Sequence, residues 1–166
     1  MEKIGLTIGL ILLICISSYG DDLSLQLAKH VLIEADRIIS DGGGDNDTGY
    51  QHQPPEILAF NLIYRTTNPA YHFKEIYRTS GTKGKFYSII GLYYLKDKEY
   101  KKFEADFIHT QHDTVTCQYG CKVVTGETPQ WLLKEWLDAI EKNIWFTKII
   151  LSDTAIKNLR YFPGGG

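Results

Sequence analysis

Apolar residues recur every three or four positions along most of this chain, a spacing typical of helices that bury one face. Short stretches rich in Gly, Pro, Asn and Asp separate these segments, and such residues interrupt helices. The pattern therefore predicts a mainly α protein, built as a single compact domain of about six short amphipathic helices. The predicted helical segments are 23–39, 54–64, 71–77, 86–95, 97–107 and 129–142.

Two of these segments carry the clearest signals. Phe86, Ile89 and Tyr93 lie on one helical face, and further apolar residues widen it, so this helix is expected to be buried on more than one side. Thr128 and Pro129 suit an N-cap followed by Pro in the first helical position. This pair therefore sets the start of the helix predicted nearest the C-terminus.

The segment 114–125 has a different pattern. β-Branched and other apolar residues such as Val115 and Cys117 alternate with polar ones, and the turn-prone Gly120 lies among them. This composition leaves two structures open, a small β-hairpin and a helical turn.

The first twenty residues have the layout of a secretory signal peptide, with a short charged start and small residues at Ser18 and Gly20. The apolar run between them, from Ile4 to Ile16, is about 13 residues long, whereas a membrane-spanning helix needs roughly 20. We therefore expect residues 1–20 to be cleaved off, with export to the periplasm or secretion and no stable membrane insertion afterwards. The alternative is a membrane anchor formed by an uncleaved N-terminal segment.

The rest of the chain is expected to form one mainly helical domain over residues 21–163, because its length suffices for a single core. Within it, residues 41–53 are poor in apolar and helix-forming residues and read as a flexible linker. The apolar run 144–151 is compatible with strand or helix. Residues 164–166 form a flexible tail.

The net charge of the chain limits the classes of molecule that it can bind. The chain has a formal net charge of -2 at pH 7, so it offers no basic surface for nucleic acid. Its hydrophobic fraction of 43% is that of a folded globular protein. We therefore expect a folded domain whose partner is not a nucleic acid.

The densest group of reactive side chains lies at 109–121. His109, His112, Cys117 and Cys121 could together supply the imidazole and thiolate ligands of a tetrahedral zinc site. Their spacing matches no standard zinc finger or ribbon, so no metal or other cofactor is expected. A thiol-dependent enzyme that uses the same segment is the corresponding catalytic alternative.

Export changes the interpretation of the cysteines. Loss of the leader removes Cys15 and leaves Cys117 and Cys121 as an even pair in an oxidising compartment. The sequence therefore favours a disulfide between Cys117 and Cys121 over a metal site or two free thiols. The loop that it closes is short, so the bond is worth about 2 kcal/mol and mainly fixes local shape.

No catalytic residues can be assigned. No two acids stand out as a catalytic pair, and no Gly-x-Ser-x-Gly motif is present. Tyrosines such as Tyr93, Tyr94 and Tyr100 could serve as platforms for cell-wall sugars. Their helical spacing instead assigns most of them to the core or its boundary.

A series of short motifs spans residues 73–124. The motifs are FKEIY at 73–77, SGTxGKxY at 80–87, GLY at 91–93, TVT at 114–116 and Gly120-Cys121. In this order they are similar to a pattern in exported bacterial helical proteins of unknown function. The resemblance covers less than half of the chain. It implies a bacterial envelope setting and assigns no activity.

The leader, the predicted core and the lack of a coherent catalytic set favour a non-enzymatic exported protein. We expect it to bind another protein in the cell envelope, as an adaptor, an inhibitor or an immunity-type protein. One alternative is a metal-binding or thiol-dependent enzyme using the segment from His109 to Cys121. A second alternative is binding of cell-wall carbohydrate.

Overall fold

The computed structural model describes residues 23–39, 54–119, 122–142 and 150. Within these residues the chain forms six helices and three short strands, which confirms the prediction of a mainly helical compact domain. The helices are α1 (23–33), α2 (Pro55–Tyr64), α3 (Pro69–Thr79), α4 (Thr82–Tyr94), α5 (Tyr100–Thr110) and α6 (Pro129–Glu141). The strands are β1 (Ile38–Ile39), β2 (Val115–Tyr119) and β3 (Lys122–Glu127).

Several predictions concern residues outside the described part. These are the signal peptide at 1–20, the linker at 41–53, the apolar run at 144–151 apart from Ile150, and the tail at 164–166. They stay predictions. In the described ranges, no helix combines the length and the apolarity that crossing a bilayer requires.

The first helix is shorter than its apolar spacing predicts. It extends through residue 33, and Ile38 and Ile39 then form β1 instead of a last helical turn, so the prediction of a helix as far as Ile39 is wrong. β1 pairs in parallel with β2, and the buried Tyr87 hydroxyl accepts a hydrogen bond of 2.8 Å from the Ile39 N–H. Local periodicity cannot reveal these partners because they lie far away in the sequence.

The segment between α5 and α6, where the sequence left a hairpin and a turn open, forms a hairpin. β2 and β3 pair antiparallel, and the pair next to the turn is Tyr119 with Lys122. Farther along, two residues of β3 oppose one residue of β2, which is a β-bulge. Gly126 lies in this bulge with a φ of 84°, in the left-handed region that favours glycine.

α4 is the central helix of the domain. It packs against α2, α3, α5, α6 and β1, and it is buried over most of its length, as its pattern predicts. A Cβ at Gly84 would lie 2.5 Å from the backbone oxygen of Leu32 in α1, and a Cβ at Gly91 would lie 2.6 Å from the ring of Phe73 in α3. Both distances are well below van der Waals contact, so glycine lets α1 and α3 approach α4 closely.

Helix starts follow the sequence at α6 but not at α5. α6 begins at Pro129 after Thr128, which confirms the predicted start. The N-cap position of α5 is Glu99, whereas the helical segment predicted from the sequence begins at Asp97. The Asp97 carboxylate instead accepts a hydrogen bond of 2.8 Å from the Glu99 N–H, so it stabilises the turn before the helix.

Aromatic and large aliphatic side chains fill the core. Phe86 of α4 meets Trp136 of α6 edge to face, with ring centroids 5.1 Å apart. This contact joins the central helix to α6. The aromatic residues among the largest fully buried side chains are Trp136, Tyr87, Phe60, Phe73, Phe86 and Phe107.

Candidate functional site

The candidate zinc ligands are placed in different environments. His109, at the end of α5, and His112, in the loop after it, are exposed, whereas Cys117 in β2 is 1% exposed. Among the described residues, no three His, Cys, Asp or Glu side chains form a group that could hold a metal ion. Cys121 lies outside the described residues. The structure therefore does not bring His109, His112 and Cys117 together as a ligand set.

The predicted disulfide stays a prediction because Cys121 is not described. Cys117 lies opposite Ile38 of β1 on one side and Val124 of β3 on the other. Its burial places the thiol in the core of the domain. No disulfide joins two described residues.

The three tyrosines considered as sugar platforms are half-buried and packed on one another, which confirms their assignment to the core boundary. Tyr93 meets the ring of Tyr94 at 6.4 Å and that of Tyr100 at 5.3 Å between centroids, in both cases edge to face. The Tyr93 hydroxyl lies 3.0 Å from a Glu141 carboxylate oxygen, and Lys101 lies over the Tyr100 ring. Burial raises the pKa of Tyr94 to about 12. These rings therefore join α4, α5 and α6 rather than present flat faces to a ligand.

A partly buried ion pair, which the sequence did not reveal, joins α1 to α3. The Lys29 ammonium lies 2.7 Å from a Glu75 carboxylate oxygen, and Lys29 is 7% exposed. This hydrogen bond lowers the pKa of Glu75. The His72 Nδ1 atom lies 3.9 Å from the same oxygen, and burial lowers the pKa of His72. The pair fixes the position of α1, which is a structural role.

Glu56 near the start of α2 is a second buried charged group. It is 8% exposed, and its Oε2 atom has no hydrogen-bond partner among the described residues. Desolvation by burial raises the pKa of the Glu56 carboxyl. A single perturbed carboxyl is not a catalytic set, because general acid–base chemistry also needs access to a substrate.

A surface cleft lies where α4 begins. It has a volume of about 170 Å³, and its lining includes Thr82, Lys83 and Asp113. Lys83 and Asp113 bring opposite charges to it, and the Thr82 hydroxyl already donates a hydrogen bond of 2.9 Å to the Gln111 side chain. This cleft therefore presents no strong preference for a cation or an anion.

Another groove lies on α6 beside an exposed tryptophan. Trp131 is 52% exposed, and the groove next to it has a volume of about 200 Å³. Lys134, Glu135 and Asp138 form the rest of its described lining. These residues follow Trp131 at i+3, i+4 and i+7, a spacing that places all four on one face of the helix. We call this surface the Trp131 face.

The charged side chains of the Trp131 face have no ion-pair or hydrogen-bond partner among the described residues. Some lysines elsewhere in that part of the chain have carboxylate partners, such as Lys74 with Asp97 at 3.0 Å. Lys134 precedes Asp138 by four residues, but a lysine on the N-terminal side of its acid is the less favourable order of such a helical pair. These side chains are therefore available to a ligand.

The Trp131 face was missed in the sequence, although a signal was present. The apolar positions that predict the buried side of α6 are Leu133, Trp136, Leu137 and Ile140. Trp131 does not share their spacing, so the pattern places this large aromatic side chain away from the buried stripe, and tryptophan is enriched where protein interfaces concentrate their binding energy.

The open edge of β3 is less suited to binding. No described strand pairs with its outer edge, and Val123 is 53% exposed. However, the bulge at Gly126 interrupts the strand, and Lys122 places a charge at its other end. Bulges and lysines are features by which natural proteins prevent edge strands from pairing with other chains.

Comparisons with known proteins do not identify a role for the Trp131 face. We compared the chain with models of protein families, with curated proteins and with solved structures, and none of the three comparisons found a match.

Proposed function

We propose that the protein is exported and acts without catalysis, by binding another protein of the cell envelope through the Trp131 face. The observation that carries this proposal is the exposed Trp131 beside charged side chains that have no partner within the described part of the chain. Tryptophan is enriched among the residues that dominate binding energy at protein interfaces. Such an anchor with polar residues around it fits the anatomy of a protein-binding surface.

The other arrangements support the same choice. Cys117 and Glu56 are buried in the domain, so neither is placed to meet a substrate. His109 and His112 are exposed, and neither belongs to a metal-binding group of His, Cys, Asp or Glu among the described residues. An adaptor, an inhibitor or an immunity-type protein needs only a stable fold and a contact surface, and the leader pattern supports the periplasm or secretion as its location.

Site-specific cross-linking tests this proposal. A photoreactive residue replaces Trp131 in the full chain, which is expressed in cells that make the protein, and a second variant carries it at Tyr71. Tyr71 is the matched control because it is an aromatic residue on α3 with 55% exposure. We expect a discrete cross-linked protein from position 131 and none from position 71. Equal yields of adduct, or none from either position, would contradict the proposal.

Export is tested on the same material. The mass of the chain recovered from the envelope or the medium should correspond to a start at Asp21. An intact leader on a membrane-bound chain would instead support the anchored alternative.

A further inference from the structure

We infer that the Trp131 face receives a cationic side chain of the partner, an arginine in the best case. This inference rests on the proposed function and names the chemistry of its occupant. Indole is the strongest aromatic binder of cations, which sit over the ring within about 6 Å of its centroid. Trp131 presents this ring at the surface, beside the groove on α6.

Two carboxylates complete the site. Glu135 lies one helical turn beyond Trp131, and Asp138 lies one further turn along nearly the same line. A guanidinium group that stacks on the indole can therefore direct its N–H donors towards these carboxylates. Arginine suits this arrangement better than lysine, because its planar group both stacks on aromatic rings and binds carboxylates with two parallel hydrogen bonds.

Lys134 carries a charge opposite to that of the two carboxylates, and this makes the inference testable. It lines the same groove, so its ammonium opposes an incoming cation. Its described lining nevertheless has one more negative than positive charge, from Glu135 and Asp138 against Lys134. Removal of a carboxylate should thus lower the affinity for a cation, and removal of the lysine should raise it. An apolar or neutral occupant would respond to neither change.

The probe is a short peptide with blocked ends, Gly-Ser-Arg-Ser-Gly, and its control is the same peptide with citrulline in place of arginine. Citrulline has nearly the same shape but no charge. Binding is followed by NMR on the isotope-labelled mature chain through the indole N–H signals of its three tryptophans, which the Trp131→Phe and Trp145→Phe variants assign. The signal of the buried Trp136 serves as an internal reference.

We expect the arginine peptide to shift the Trp131 signal and to leave the Trp136 signal in place, and the citrulline peptide to have a much weaker effect. Glu135→Gln and Asp138→Asn should each weaken binding about threefold, and Lys134→Gln should strengthen it about threefold, as expected for single exposed charges. Added salt should weaken binding of the arginine peptide. All these positions lie at the surface, so the variants should retain the fold.

Equal shifts with both peptides, or no response to the three charge variants, would overturn the inference. A soluble fragment of cell-wall glycan that shifts the Trp131 signal equally in all variants would overturn it in favour of sugar stacking. If the cross-link at position 131 forms and arginine shows no advantage, the cationic occupant is wrong and protein binding stands. If the arginine peptide binds but no cross-link forms, the chemistry of the site holds and the proposed function fails.

Discussion

Two tryptophans on the same helix have opposite environments. Trp136 is 0% exposed and packs edge to face on Phe86, whereas Trp131 is 52% exposed and borders a groove. They lie five positions apart in the sequence, and this is enough to place them on different sides of α6. The difference shows that residue type alone does not tell a core residue from a contact residue, whereas its place relative to the buried stripe does.

The largest expected effect comes from a change on the buried side. Trp136→Ala should lower the free energy of unfolding by about 3–5 kcal/mol, because it removes a large buried ring and leaves a cavity against Phe86. Trp131→Ala is the matched control and should stay within about 0.5 kcal/mol, since a surface change removes little packing. Denaturant unfolding of both variants measures the difference. If Trp131→Ala lowered the free energy of unfolding as much as Trp136→Ala does, the assignment of Trp131 to an exposed side of α6 would be wrong.

α4 allows the same contrast to be tested with glycines. Gly84→Ala should cost about 1–3 kcal/mol, because the new Cβ would lie 2.5 Å from the backbone oxygen of Leu32. Gly81→Ala is the control, since nothing lies within 4 Å of a Cβ there. Thermal unfolding compares the two variants. Equal stability would show that α1 can move away from α4 more easily than the close packing indicates.

The predicted disulfide should have an effect of intermediate size on stability. It concerns the segment of the hairpin and neither side of α6. We expect purified mature protein, denatured without reductant, to show no titratable thiol, and reduction to lower its stability by about 2 kcal/mol. Elemental analysis of the same sample tests the metal alternative. Two titratable thiols would contradict the disulfide, and stoichiometric zinc would favour the ligand set of His109, His112, Cys117 and Cys121.

The smallest effect compares the buried carboxyl of Glu56 with the exposed carboxyl of Asp138. Burial raises the folded-state pKa of Glu56 above its ordinary value of 4.5. The folded state then binds protons more tightly than the unfolded state, so Glu56 weakens stability as the pH rises from the ordinary pKa through the raised one. Below the ordinary pKa both states are protonated, and this penalty disappears.

Glu56→Gln should therefore gain about 1 kcal/mol relative to the wild type between acid and neutral pH, the low end for a buried polar group without a partner. Asp138→Asn, at an exposed position, is the control for the loss of one negative charge. Unfolding measured across this pH range checks both variants. A stability difference for Glu56→Gln that does not change with pH would mean that burial does not penalise its charge.

Much of the fold could be predicted from the sequence because it depends on local patterns. The spacing of apolar residues identified the helices, and Thr128 with Pro129 located the start of α6. The predicted end of α1 was wrong because buried residues such as Ile38 and Ile39 fit the continuation of a helix as well as they fit a strand. Their partners, β2 and the Tyr87 hydroxyl, come from distant parts of the chain.

The candidate site could likewise be predicted only in part from the sequence. The helical spacing of Trp131, Lys134, Glu135 and Asp138 was present in the sequence, and so was the separate stripe that contains Trp136. Their accessibility and their lack of partners depend on which helices pack against α6, and on which carboxylates lie near which lysines. Helical periodicity determines which residues share a face, because it is a property of neighbouring residues. Only the tertiary structure decides which face is covered, since the groups that cover it are brought there from elsewhere in the chain by folding.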